Sequence, residues 1–451
     1  MSLHGPLFGD AEVAERLSDR ARLQAMLDVE AALAEAEAAL GIVPASCVAP
    51  IRAAAREELY DHAALAAAAA EAGNLAIPLV RRLTERVAER DPAAARYVHW
   101  GATSQDVIDT GLVLQLRAAV PRIGERLERA ADAAADLARR HAATAMPGRT
   151  WLQQATPTTF GLKAAGWAEA LDRARGRIEA ALAEALVLQL GGSSGTLAAF
   201  GPRGLAVAEA LGKRLGLRVP DAPWHALRDR LVHLACALGV AVGTMGKIAR
   251  DLGLLAQTEV GEAAAPARDG RGGSSSMPQK HNPVSAAVVL AAATRAPGLV
   301  ATLLAAMPQE HERGLGGWHA EWQTLPELVL LAAGAARATA EALGELEVDA
   351  GRMRAHLDAS RGVAGAEIVA LALAAHLGKD EAHALVAAAC RRAAAEGREL
   401  ADVLGEDAAA ARHLTLDELR RATAPEGALG SAAAIVERIL SRRKRLARGD
   451  A

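Results

Sequence analysis

With 451 residues the chain exceeds what one hydrophobic core usually serves, and two or three domains are expected. Lys and Arg total 51 against 54 Asp and Glu, a net charge of -3, so no basic excess is available for a general nucleic-acid-binding role. Hydrophobic residues make up 51% and aromatics only 2%; alanine, the strongest helix former, supplies much of the rest, which predicts an all-α protein with long helices.

The N-terminal stretch MSLHGPLFGDAEVAERLSDR has no basic-then-apolar leader pattern. Charges interrupt each long alanine run before the ~18 residues that a membrane helix needs. Cys47, Cys236 and Cys390 are far apart and odd in number, neither a disulfide framework nor a metal-ligand spacing. A soluble cytoplasmic protein with no membrane partner is expected.

LSDRARLQAMLDVEAALAEAEAALGIVP reads as one helix, capped by Ser18 or Asp19 and stopped by Gly41 and Pro44. Shorter helical pieces run to about Arg90, where RDPAAARYVHWGATSQD breaks the pattern and closes an N-terminal helical domain, residues 1–109. Long helical patterns then cover Gly111 to His141, Pro157 to Leu190, Ala222 to Glu262, Pro283 to Met307 and Pro326 to Leu346. With short loops between them they read as a long-helix bundle over residues 110–349. Residues 350–451 carry shorter helices and a basic tail, SRRKRLARGD, read as a solvated helix end.

Three polar, glycine-containing islands border or interrupt the bundle: His99 to Thr110 (HWGATSQDVIDT), Gly148 to Gly161 (GRTWLQQATPTTFG) and Gly270 to Pro283 (GRGGSSSMPQKHNP). Each is expected to lead into a helix, at Asp106 or Thr110, at Pro157-Thr158-Thr159, and at Asn282-Pro283. Helix N-termini present free N–H groups and partial positive charge, which favours anions. Hydroxyls and amides at Thr103, Ser104, Gln153, Gln154, Thr158 and Asn282 suit carboxylate oxygens, and Lys280 can hold an anion. Taken singly, each island reads as an ordinary cap worth ~1 kcal/mol. Three together, with Lys280, His99 and a glycine run, point to an anion site. His311, His319 and their neighbouring glutamates match no helical metal-ligand spacing, so no metal is expected.

GSSSMPQKHNP matches the G-S-S-x-M-P-x-K-x-N signature of the fumarase/aspartase superfamily. GATSQD and GRTWLQQATPTT resemble that family's other two segments, in its order and at similar separations. The resemblance extends from LDVEAALAEAEAALG through the bundle. It implies three α-helical domains and a homotetramer whose central helices form a twenty-helix core. It also implies active sites gathered from three different chains, no cofactor, and a loop that closes over an anionic substrate. The implied chemistry moves a proton on the carbon beside a carboxylate, through an aci-carboxylate dianion, while a group departs from the neighbouring carbon.

In that resemblance Ser274, the first serine of the signature, is the general base, with Ser275 the alternative. A free hydroxyl is far too weak a base, so its alkoxide needs loop N–H groups, Lys280 and helix ends around it. Met277 in the signature and Arg313, a carboxylate clamp in QEHERGLGGWHAEW, are implied substrate contacts. His99 matches a site histidine of the adenylosuccinate branch and either bonds a substrate carboxylate or braces its loop.

Most lyases of the family carry a histidine after GRT, partnered by a glutamate on the helix after the signature. Here Trp151 and Ala287 stand at those positions. An amine leaving carbon needs a proton, whereas a carboxylate with a pKa of about 4 leaves or attacks without one. The double replacement is therefore compatible with a reaction in which a carboxylate adds to, or leaves from, the β-carbon. Resemblance to a lactone-forming member of the family implies that the product is a lactone, made from a muconate-type tricarboxylate in aromatic-acid catabolism downstream of protocatechuate, with Trp151 lining the pocket. A C–N lyase of the same family is the alternative and would need another acid in place of Trp151. A helical oligomer without catalysis is the third reading, and it leaves the intact Ser274, Lys280 and Asn282 unexplained.

Overall fold

The computed structural model describes residues 3–266 and 271–448. Gly270, at the head of the signature loop, and Gly449-Asp450, in the basic tail, lie outside the described residues. Helices dominate, as the alanine content predicts. The strands form two small antiparallel pairs, 145–150 with 153–159 and 263–264 with 347–348.

The first predicted helix is observed as Asp19–Ala39, with the Ser18 side chain accepting from the Ala21 N–H. Leu23, Met26, Leu27 and Val29 on it pack with Ile51, Leu79, Leu83, Val87 and Val107 into one apolar core. The same helix buries two carboxyl groups, Glu30 and Glu37. Neither oxygen of Glu37 has a hydrogen-bond partner among the described residues. Burial, reinforced by the negative charge of Glu30, pushes the Glu37 carboxyl up to about 9.

That shift carries a sign. An unfolded chain ionises Glu37 near 4.5, while the folded one keeps it protonated to about 9, so the residue costs stability increasingly as pH rises between those values. Glu37→Gln is expected to be more stable than wild type at pH 8, by up to about 5 kcal/mol, with the gain vanishing near pH 4.5. Thermal melts of both proteins across pH 5 to 8.5 check it; a constant difference contradicts it.

Five long helices follow: Ser104–Arg140, Phe160–Ala185, Asp229–Leu255, Val284–Ala306 and Gly317–Gly344. Three of these differ from expectation for identifiable reasons. The first begins at Ser104, not Gly111, because the Asp106 carboxylate accepts the Thr103 N–H at 3.0 Å, half of a capping box. The second begins at Phe160 because Pro157-Thr158-Thr159 belongs to a strand; Thr159 then caps the helix, its Oγ1 accepting the Leu162 N–H at 3.0 Å. The last runs through Pro326. Proline removes the bond to the carbonyl four residues back, and Arg22 Nη2 donates to that carbonyl, Trp322 O, at 3.4 Å.

The chain divides into two compact units whose boundaries cut through long helices: residues 1–127, 174–246 and 288–338 form one, and 128–173, 247–287 and 339–451 the other. The second unit has its own apolar cluster near the C-terminus, including Val369, Leu373, Val386, Leu400 and Leu419. Although charges punctuate them, Asp229–Leu255 and Val284–Ala306 are long and apolar enough to cross a membrane. The chain itself buries 61% of the most apolar window in the first but only 28% in the second.

Candidate active site

In the first unit, the GATSQD turn is built around one buried carboxylate. Asp106 accepts four hydrogen bonds: from the N–H groups of Thr103 (3.0 Å), Gly191 (2.9 Å) and Gly192 (3.0 Å), and from His225 Nε2 at 2.7 Å. It thereby ties GATSQD to a second glycine turn, Gly191 to Gly195. Gly101 has φ +72° and a Cβ there would lie 2.6 Å from the Phe200 ring, so only glycine fits.

Arg313 joins this pair of turns. Its Nη1 donates to Thr103 Oγ1 and its Nη2 to Ser193 O, each at 3.1 Å, while its buried Nε has no partner among the described residues. Arg313 and Thr103 are thus together, as a carboxylate site requires, and Ser104 opens the helix beside them. Ser193 and its turn carry no charged or aromatic marker in the sequence and were not anticipated. His99, just before the turn, has a left-handed backbone (φ +57°) and shares a 2.7 Å Nδ1–Oε1 hydrogen bond with Glu30.

Beneath the turn lies a buried charge cluster. The Arg228 guanidinium bonds Asp109 (2.7 and 3.1 Å) and Glu321 (2.6 to 3.1 Å) and stacks 4.7 Å over Trp224. Trp318 Nε1 donates to Asp109 at 3.0 Å and Gln309 Nε2 to Glu321 at 3.1 Å. Burial would depress the guanidinium, but Asp109 and Glu321 outweigh it and keep it charged. Burial raises Glu321 despite Arg228. These residues hold the helix that starts at Ser104 against the segment carrying Arg313.

In the second unit, the island Gly148 to Gly161 is a β-hairpin that leads into the helix starting at Phe160. Met146 pairs with Thr158 and Thr150 with Gln153, so Trp151 and Leu152 form the two-residue tip. Both have left-handed backbones, φ +53° and +64°, where hairpins normally place Asn-Gly, and they are 97% and 78% exposed. Among the described residues Trp151 therefore stands almost wholly in solvent. Gln153 and Gln154 are exposed near the tip and Thr158 is half-buried. Arg149 anchors the hairpin through paired bonds of 2.8 and 2.6 Å to buried Glu262, which also bonds His356 at 2.6 Å.

The signature loop closes on itself. Asn282 donates its backbone N–H (2.7 Å) and its Nδ2 (3.0 Å) to Gly272 O, and Gly273 bridges to His281. Asn282 Nδ2 is thus engaged with the loop's own carbonyls. Ser274 Oγ, half-buried, accepts the N–H groups of Met277 at 3.1 Å and Ser276 at 3.4 Å. Ser275, Met277 and Lys280 are exposed, as is Ala287 one turn into the next helix. Arg271 pins the base of the loop to Ser285 (2.6 Å) and Glu341 (2.8 Å).

The chain resembles known proteins along nearly its whole length. A family model described as Lyase matches residues 10–298, and one described as Adenylosuccinate lyase C-terminus matches 362–439. A 3-carboxy-cis,cis-muconate cycloisomerase of Pseudomonas aeruginosa is 58% identical, over 94% of this chain and 92% of its own. One of Bradyrhizobium diazoefficiens is 51% identical, over 97% of each. The crystal structure of the 3-carboxy-cis,cis-muconate lactonizing enzyme from Pseudomonas putida superposes with a TM-score of 0.92 at 50% identity, covering 98% of this chain and 99% of that one. On this footing the chain belongs to the lyase family, within the fumarase/aspartase superfamily whose three segments it carries.

Proposed function

We propose that the protein is a cycloisomerase interconverting 3-carboxy-cis,cis-muconate and 4-carboxymuconolactone in protocatechuate catabolism. The observation that carries the reading is the pair Trp151 and Ala287 at the positions of the family's proton relay, on a chain that keeps Ser274 and Lys280. In the lactone-opening direction Ser274 removes the proton on the carbon beside a carboxylate. The ring carboxylate then departs from the neighbouring carbon without protonation; lactone closure is the reverse. The loop N–H groups on Ser274 Oγ support its role as the base, and Lys280 supplies positive charge to the developing dianion. Thr103, Ser104, Arg313 and His99, with Trp151, Gln153, Thr158, Ser275, Met277 and Asn282, are the proposed substrate surroundings, and no metal or cofactor takes part.

The same reading makes the protein a cytoplasmic homotetramer with each site shared by three subunits. Two features support it. Trp151 and Leu152 stand in solvent on a strained tip, and the apolar Val284–Ala306 helix is mostly uncovered by its own chain. Residues 1–109, 110–349 and 350–451 remain the proposed functional division, with the loop 270–283 in the middle part.

Restoring the relay tests the leaving-group argument. Trp151→His with Ala287→Glu is expected to give no acceleration of lactonisation, because the carboxylate needs no general acid. Where such an acid is missing, supplying it is worth roughly 10²–10⁴-fold. Steady-state rates from pH 6 to 9 decide it. A large gain would remove the reason for a carboxylate leaving group.

A further inference from the structure

Glu30 is a deeply buried charged group near the GATSQD turn: its side chain is 0% exposed, against 18% for the His99 ring that it bonds. Its second oxygen, Oε2, has no partner among the described residues, so the imidazole is its one hydrogen-bonding neighbour there. An isolated buried carboxylate is costly unless paired with a positive group. His99 also has a left-handed backbone, which costs a non-glycine residue about 1 kcal/mol or more and persists where surrounding contacts hold it. Two unfavourable features therefore meet in one contact, two residues before Gly101.

We infer that Glu30 is a positioning residue of the site: its charge keeps His99 an imidazolium and engages Nδ1, leaving the Nε2–H to hold a substrate carboxylate. This rests on the function proposed above, in which a tricarboxylate is bound. A neutral ring donating Nδ1–H to Glu30 would present a lone pair at Nε2 and repel a carboxylate; the protonated ring presents a donor. The charged groups acting on the ring are Glu30 and, from the start of the long helix, Asp106. Burial depresses the ring, and these two carboxylates outweigh it, raising it above the usual imidazole value. Glu37, on the same helix as Glu30, stays protonated and adds no second charge at neutral pH, and the Tyr60 hydroxyl, which also feels Glu30, is likewise raised. The ring charge is thus present at low pH with or without the Glu30 carboxylate, and that carboxylate is what maintains it as pH rises through the ordinary imidazole range.

Glu30→Gln keeps the shape and removes the charge. Its kcat/KM for 3-carboxymuconate is expected to fall about 10–100-fold at pH 8, mainly through KM, as for a lost charge-assisted hydrogen bond. It should recover toward wild type at pH 6 and change little when made in a His99→Gln background. Diethyl pyrocarbonate, which modifies imidazole only in its neutral form, gives a readout independent of substrate: His99 labelling at pH 7, followed by peptide mass spectrometry, should be several-fold faster in Glu30→Gln. A loss that is flat across pH, an equal loss in both backgrounds, or unchanged labelling overturns the proposal. If Glu30→Gln does not fold, Glu30→Asp carries the test with a smaller shift of the same sign, and a flat loss again overturns it. Wild type inactive on the muconate would sink the proposed function, while the labelling comparison would still decide whether Glu30 holds the ring charged.

Discussion

Ser274→Ala is expected to lower turnover by roughly 10²–10⁴-fold while the melting temperature and oligomeric state stay those of wild type. The hydroxyl sits where two backbone N–H groups already point at its oxygen, so an alkoxide formed there meets donors without reorganisation. The same bonds also cap a turn, but a turn cap alone would show as lost stability with retained rate. Ser275, exposed one residue on, receives no such pair of donors among the described residues. Steady-state rates and thermal melts of both alanine variants separate the roles. An inactive Ser275→Ala beside an active Ser274→Ala would move the base to Ser275.

Arg228→Ala is expected to be the most damaging change outside the substrate surroundings, costing about 3–5 kcal/mol or preventing folding, because Asp109 and Glu321 are left buried without a counter-charge. Glu321→Gln should cost much less, since Arg228 keeps its two bonds to Asp109 and the excess buried negative charge is gone. Burial raises the Glu321 carboxyl in the folded protein, so the group costs stability as pH climbs above its unfolded value of 4.5, and Glu321→Gln should flatten that dependence. Denaturation melts of the three proteins at pH 5 and 8 test this. A Glu321→Gln variant less stable than Arg228→Ala would mean that the cluster is not governed by charge balance.

What was legible in the sequence follows local rules, and what was not depends on distant partners. Alanine content and three- to four-residue periodicity reported the long helices, and the T-S-Q-D spacing held a capping signal that moves the first start from Gly111 to Ser104. The hairpin at Gly148 to Gly161 was hidden because its tip is Trp151-Leu152 rather than Asn-Gly; a strained tip of that kind has no local signature. Asp106 reads only as a helix start, and Asp109, His225, Arg228 and Glu321 carry no local mark, since only tertiary packing brings them together in the core. Thr103 and Arg313, 210 positions apart, were proposed separately and meet in the fold. Ser193 was invisible because it acts through a backbone carbonyl, which every residue has.

The most direct measurement of the central claim is an ultraviolet assay of purified protein with 3-carboxy-cis,cis-muconate in one cuvette and adenylosuccinate in another. Lactone closure removes one of two conjugated double bonds, so the predicted result is loss of absorbance with the muconate and none with adenylosuccinate. Turnover of adenylosuccinate alone would contradict the account, because a departing amine requires the proton that Trp151 and Ala287 do not supply.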